Sequence, residues 1–212
     1  MELLRLSTSV FGPRPAFHET DAYRALWIIA GGQTDRKSLA QKLKIGEGST
    51  RSVLKQLLEN KLIEVRKRGA VLTKEGESFV SELKKSIPAT GKIEKTDLTF
   101  QQEAYAVRMQ GSLAGRIKGG IEQRDAAIRA GASGATVLCL ESGRLVFPDS
   151  GYAVSQAQKN LFEEKLGELR EGDAIIMCYG ESELARERGA WNAAIGIKTE
   201  EQISSKHDPA RH

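Results

Sequence analysis

The sequence is poor in the residues that carry most side-chain chemistry. It holds three histidines and two cysteines among 212 residues. The histidines are His18, His207 and His212, so the long middle of the chain has none. That middle offers no Cys–His or Ser–His pair and no His/Cys cluster for a metal. No catalytic residue, metal or cofactor is therefore expected. Cys139 and Cys178 lie inside the apolar runs VLCLE and IIMCYG, without CxxC spacing. Buried thiols in a reducing compartment are the expectation, with a redox pair open if the two runs form adjacent strands. No apolar run approaches the ~20 residues that cross a bilayer. The opening MELLRLSTSVFG also lacks a secretory apolar stretch. A cytoplasmic chain with no membrane partner is expected.

What is present is ordinary for globular cores: 40% hydrophobic and 28% charged residues. The length fits one large or two small domains. The net charge of +4 hides an asymmetry. Residues 1–90 carry 16 Lys and Arg against 10 Asp and Glu, and residues 91–212 carry 16 against 18. Only the first part is suited to meet a polyanion. Pro13 and Pro15 mark an extended lead-in, while Pro88 and Gly91 punctuate a polar segment that reads as a linker. The expected division is a first domain over 1–86, a linker over 87–92, a second domain over 93–198 and a flexible tail over 199–212.

In the first domain, HETDAYRALWIIAGG reads as a helix capped by Thr20 or Asp21 and ended by Gly31-Gly32. Ala22, Leu26, Ile29 and Ala30 form its core stripe. A short helix starts after Thr34 or Asp35 and turns at Ile45-Gly46 into a second helix, Glu47 to Glu59. Thr50, Val53, Leu54, Leu57 and Leu58 should face inward; Gly48, Ser49, Arg51, Ser52, Lys55 and Gln56 should face outward. Two helices joined by a glycine-containing turn are the helix-turn-helix signature, and the second can enter a major groove. The period then changes to two, with short strands around Lys67-Arg68-Gly69 forming a basic hairpin, the wing. Thr73 caps a last helix from Lys74 to about Lys85. The candidate DNA-binding residues are Arg36, Ser49, Arg51, Ser52, Lys55, Arg66, Lys67 and Arg68. Arginine reaches guanine O6 and N7, and hydroxyls and lysines reach phosphates.

From Leu39 to Gly76 the chain contains L-A-x-x-L-x-I-G-E-G-S-x-R-x-V-L-x-x-L, then R-x-x-G and L-T-x-x-G. In this order and spacing it resembles the winged-helix regulators of bacteria and archaea. The resemblance implies DNA contacts at Arg51, Ser52, Lys55 and the wing.

The second domain alternates strands and helices. Strands are expected at 93–98, 104–109, 135–140, 144–147 and 174–179, and helices at 119–131, 154–170 and 182–190. The pattern predicts a two-layer α/β sandwich, ferredoxin-like or a ββα repeat, within an α+β chain. The ESGR turn at 141–144 favours an antiparallel hairpin. The segments GRIKGGIEQRDAAIRAGASGATVL and GDAIIMCYGESELARERGAWNAAIGI, behind such a winged helix, make the whole chain similar to uncharacterised archaeal proteins.

GSLAGRIKGG lies where a phosphate loop would, but lacks the P-loop and dinucleotide patterns. A loop and an anion-binding helix N-terminus both stay open. Candidate ligand residues are Arg116, Lys118, Gly119, Gly120, Arg124, Arg186, Arg188 and Asn192, for a small anionic metabolite. Trp191 reads as core. The expectation is a homodimeric, sequence-specific regulator bound to double-stranded DNA, with the second domain dimerising, sensing a ligand, or both. One alternative is an enzyme fused to an autoregulatory winged helix, drawing on Glu141, Asp149, Asp173 and Glu181. The other is a winged-helix protein-interaction module.

Overall fold

The computed structural model describes residues 17–204, without the side chains of 112, 113 and 198–204. The lead-in at Pro13 and Pro15 and the tail beyond 204 lie outside the described residues. The chain forms two compact units that divide between Leu83 and Lys84.

Unit 1 contains helices α1 (Thr20–Ala30), α2 (Arg36–Leu43) and α3 (Glu47–Glu59) and the hairpin β1 (Ile63–Arg66) and β2 (Gly69–Leu72). Helix α4 (Lys74–Ser86) follows and runs across the division. Ala22, Ala25, Leu26 and Ile29 of α1 pack with Leu39 and Leu43 of α2 and with Val53 and Leu57 of α3. Each helix thus contributes residues three or four apart, one face per helix. The cap of α1 differs from expectation. Glu19 holds the cap position without a side-chain bond, and Asp21 turns inward as a fully buried carboxylate. It accepts from the His18 amide at 2.9 Å and from Arg24 Nη1 at 2.7 Å. Arg24 Nη2 continues to the Leu43 carbonyl at 3.1 Å, closing the C-terminal end of α2.

Asp35 caps α2, its Oδ1 accepting from the Lys37 and Ser38 amides. Lys44 then takes a left-handed conformation, φ 57°, which starts the turn into α3. Two glycines permit close approaches. A Cβ on Gly69, φ 128°, would lie 2.5 Å from the Thr34 carbonyl oxygen, where Thr34 pairs with Ala70. A Cβ on Gly76 would lie 1.9 Å from the Leu62 carbonyl oxygen. Thr73 works beside it, donating to the Lys61 carbonyl and accepting from the Gly76 amide. The L-T-x-x-G string is thus the joint between wing and α4.

Unit 2 is built on a five-stranded antiparallel sheet in the order β3-β4-β7-β5-β6. Its strands are β3 (Ala89–Ile93), β4 (Ala104–Met109), β5 (Gly134–Glu141), β6 (Arg144–Val146) and β7 (Ala174–Tyr179). Helices α5 (Ile121–Arg129), α6 (Gln156–Leu166) and α7 (Glu183–Ser204) complete it. In chain order this is ββα, ββα, βα, with β7 inserted between the two hairpins. The ESGR turn is a two-residue hairpin with both central residues at positive φ, Ser142 at 50° and Gly143 at 75°. That conformation matches the twist of antiparallel strands.

The expected two layers gain a third. Ala104, Ala106, Leu138, Leu140, Ile175 and Met177 share one sheet face with Phe162 and Leu166 of α6. The alternate residues Val107, Val137, Ile176 and Cys178 are also buried, on the face packed by α5 and α7. The region expected as a linker contains β3, and the strand expected at 93–98 ends at Ile93. A 3-10 turn over Asp97–Thr99 follows, where the Thr99 hydroxyl accepts from the Thr96 amide and donates to the Gln102 carbonyl at 2.6 Å. Helix α7 extends well past the expected 190, into the region expected as tail. No helix among the described residues is long and apolar enough to cross a membrane.

The cysteine runs are indeed adjacent strands, yet Cys139 stands opposite Ala174 and Cys178 opposite Ala135. Four residue pairs along the ladder put the thiols roughly 13 Å apart, beyond any disulfide. Burial raises the Cys139 thiol pKa to about 11, with Glu141 adding to the effect, and burial also raises that of Cys178.

Candidate nucleic-acid interface

The outward face of α3 carries Gly48, Arg51, Ser52 and Lys55, all exposed, with Ser49 half-buried. Thr50, Val53 and Leu57 are fully buried beneath them. Two expectations for α3 are reversed. Gln56 is buried, while Leu58 is 40% exposed and Leu54 half-buried. The wing presents Arg66, Lys67 and Arg68, all exposed. Between α2, α3 and β1 runs a groove of about 750 Å³ lined by Arg36, Glu47, Arg51, Leu54, Lys55 and Val65, among others.

Acidic partners hold several of the candidate cations. Arg36 pairs with Glu47 at 3.2 Å, joining the first turns of α2 and α3. Lys55 lies 3.7 Å from Glu59, and Arg66 Nη2 lies 2.6 Å from Glu64. Glu47, Glu59 and Glu64 also belong to this surface, though they are not among the residues expected there. Glu59 stands one helical turn after Lys55 and Glu64 two strand positions before Arg66, spacings that signal a pair. Nothing in the sequence brings Arg36 to Glu47, which depends on the angle between two helices. These exposed pairs are weak and yield to a polyanion at little cost.

In unit 2 the expected ligand residues do not form one cluster. Gly119 and Gly120, φ 84° and 78°, lead into α5, and a Cβ on Gly120 would meet Val137 at 2.9 Å. Arg116 ends a 3-10 turn over Gly111–Arg116, and Lys118 is exposed. Arg124 bonds its neighbour Asp125. Asn192 donates to the Ala126 carbonyl at 2.7 Å, tying α7 to α5. Arg188 is half-buried on α7, and Trp191 is buried in the core. Arg186 donates to the Gly180 carbonyl and to Glu103 at 2.7 Å. It lines a cleft of about 570 Å³ with Lys92, Lys95, Glu103, Lys165 and Glu183. Of the carboxylates considered for catalysis, Asp173 is buried against Arg108. Its Oδ2 also accepts from the Arg170 amide and from Gln110. No group of three metal-ligating side chains occurs among the described residues.

The helix-turn-helix, its wing and the open face of α3 define unit 1 as a winged-helix DNA-binding domain. Residues 23–87 match the family described as the CggR N-terminal DNA binding domain. Residues 100–198 match a domain of unknown function, DUF4443. No curated protein is significantly similar to the chain. Among solved structures, a hypothetical protein from Pyrococcus horikoshii OT3 shares the fold. Its TM-score is 0.71 at 24% identity, over 87% of this chain and 95% of that one. S. agalactiae BusR in complex with its busAB-promotor DNA is 14% identical over 84% of this chain and 98% of its own. Its TM-score is 0.23, too low to define a shared fold.

Proposed function

We propose that the protein is a transcription regulator that reads double-stranded DNA sequence specifically, as a homodimer. The observation that supports this reading most is the outward face of α3, with exposed Arg51 and Ser52, on the same unit as a wing bearing exposed Lys67 and Arg68. A helix fits the major groove, and arginine there pairs two-pronged with guanine. The wing cations suit phosphate or the minor groove. Fluorescence anisotropy on genomic DNA fragments tests it. Arg51→Ala should cost about 1–3 kcal/mol and relax base discrimination. Lys67→Ala should weaken all sequences alike and reduce the slope of log affinity against log salt by about 0.9. Binding without salt dependence, or an Arg51→Ala variant indistinguishable from the parent, would overturn the reading.

Control by a small anionic ligand belongs to this proposal at the cleft beside Arg186, where Lys95 and Lys165 stand next to the Lys92–Glu183 and Arg186–Glu103 pairs, which an anion would have to open. A panel of anionic metabolites should then contain one that raises the Tm of the parent and not that of Lys95→Glu. A panel that moves neither removes the ligand from the proposal and leaves DNA binding standing.

A further inference from the structure

Helix α5 has two unlike sides. Gln123, Ala126 and Ala127 are buried against the rest of unit 2. The centre of the outward side carries Ile121, Arg124, Asp125 and Ile128, the i, i+3, i+4, i+7 set of one helix face, with exposed Glu122 and Arg129 along one edge. Ile121 is 63% and Ile128 46% exposed, two of the few large apolar side chains left open to water among the described residues. Between them, Arg124 Nη2 sits 3.2 Å from Asp125 Oδ1, both side chains about half exposed.

The order of these four residues is self-complementary. About a point between Arg124 and Asp125, each isoleucine is equally distant and the two central charges are opposite in sign. A second copy of the helix, laid antiparallel across a two-fold axis through that point, would set Ile121 against the partner's Ile128. The same rotation sets Arg124 against the partner's Asp125, and each contact occurs twice. This is the requirement for an isologous interface, in which residue i meets j and j meets i. We propose that the outward face of α5 is the centre of the homodimer interface, and that the partner it fits is a second copy of this chain.

This inference rests on the dimer in the proposed function and gives it a location. A nine-residue helix is about 13 Å long, and such a contact alone falls below the area of a standard interface. The dimer should therefore dissociate on dilution. The Arg124–Asp125 pair inside each of the two chains is exchanged for one of two such pairs across the axis, where water is displaced and a sign error is costly.

Light scattering on the full chain, over a hundredfold concentration range and without DNA, tests the assignment. The parent should move from one to two chain masses as concentration rises. Arg124→Glu places acid against acid across the axis and Asp125→Lys places base against base, so each variant should stay at one chain mass. Mixed in equal amounts they are complementary, Glu against Lys and Asp against Arg, and the mixture should recover two chain masses. Ile121→Asn, which leaves the charges alone, should weaken the parent dimer at least tenfold. Far-UV circular dichroism matching the parent confirms that each variant is folded. The proposal is overturned by a parent at one mass throughout, by a dimer that persists in both charge variants, or by a mixture that fails to recover. Since no DNA is present, each of these outcomes is independent of whether unit 1 binds DNA.

Discussion

Arg108 and Asp173 show what one residue can hold in place. Both are buried, and Arg108 Nη2 lies 2.7 Å from Asp173 Oδ2. Asp173→Ala would leave the guanidinium buried without its counter-charge, a loss of about 3–5 kcal/mol. Urea denaturation should show a lower midpoint with an unchanged slope. A loss below about 1 kcal/mol would mean that water reaches Arg108 and that the pair is not sealed. The cysteines give a second test at this scale. With the Cys139 pKa near 11 and that of Cys178 also raised by burial, neither is a reactive thiolate at neutral pH. Alkylation of the native chain at pH 7 should be slow at both and rapid once the chain is unfolded. Fast native labelling of Cys139, which is half-buried, would mean that water reaches its thiol and that burial does not hold its pKa up.

At the scale of elements, the same device ends two helices. Arg24 reaches the last carbonyl of α2 at Leu43, and Arg108 Nη1 reaches that of α6 at Leu166. Each arginine is itself held by a buried aspartate, Asp21 or Asp173. A cation at a helix C-terminus is favoured by the dipole, and burying it adds direction. At the other end of α2, the Ser38 hydroxyl and amide hold the Asp35 carboxyl below its ordinary pKa. A carboxylate whose pKa is lowered by folding stabilises the fold above its unfolded value and loses that contribution as pH falls through the lowered one. The Tm of the parent should thus fall in acid below about pH 4, by a part that Asp35→Asn no longer shows. Equal acid sensitivity in the two would remove Asp35 from the account. Gly76→Ala is the sharper change, since its Cβ meets backbone at Leu62. It should cost at least about 2 kcal/mol and loosen the wing.

These elements also show what could be read in advance. Helix α3, the wing and strands β4 and β7 were legible because periodicity and turn residues specify them locally. Strand β3 was not, because ATGKI offers one buried residue, Ile93, and a glycine beneath α6. Its strand character comes from pairing with β4. The third layer was hidden for the same reason, since alternation along β7 (AIIMCY) is masked when both faces are covered. On α3, the outward position of Arg51 could be read from the sequence. The exposure of Leu58 and the burial of Gln56 could not, because they depend on how the other elements of unit 1 pack against α3.

At the scale of the whole molecule, DNA affinity and dimerisation should be linked, and the linkage is measurable. In the proposed dimer two winged helices would meet two half-sites, and the second contact would form at the high effective concentration set by the first. Affinity for a palindromic site should then exceed that for a single half-site by far more than a factor of two. Arg124→Glu leaves Arg51, Lys67 and Arg68 unchanged, so its affinity for the half-site should equal the parent's. On the full palindrome it should lose about 10²–10⁴-fold, the range that avidity supplies. The mixture of Arg124→Glu with Asp125→Lys should restore the full-site affinity, since complementary charges re-form the pair. Equal losses on half-site and full site would place α5 in direct DNA contact instead. No loss on either would mean that the two half-sites are joined through some other face of the chain.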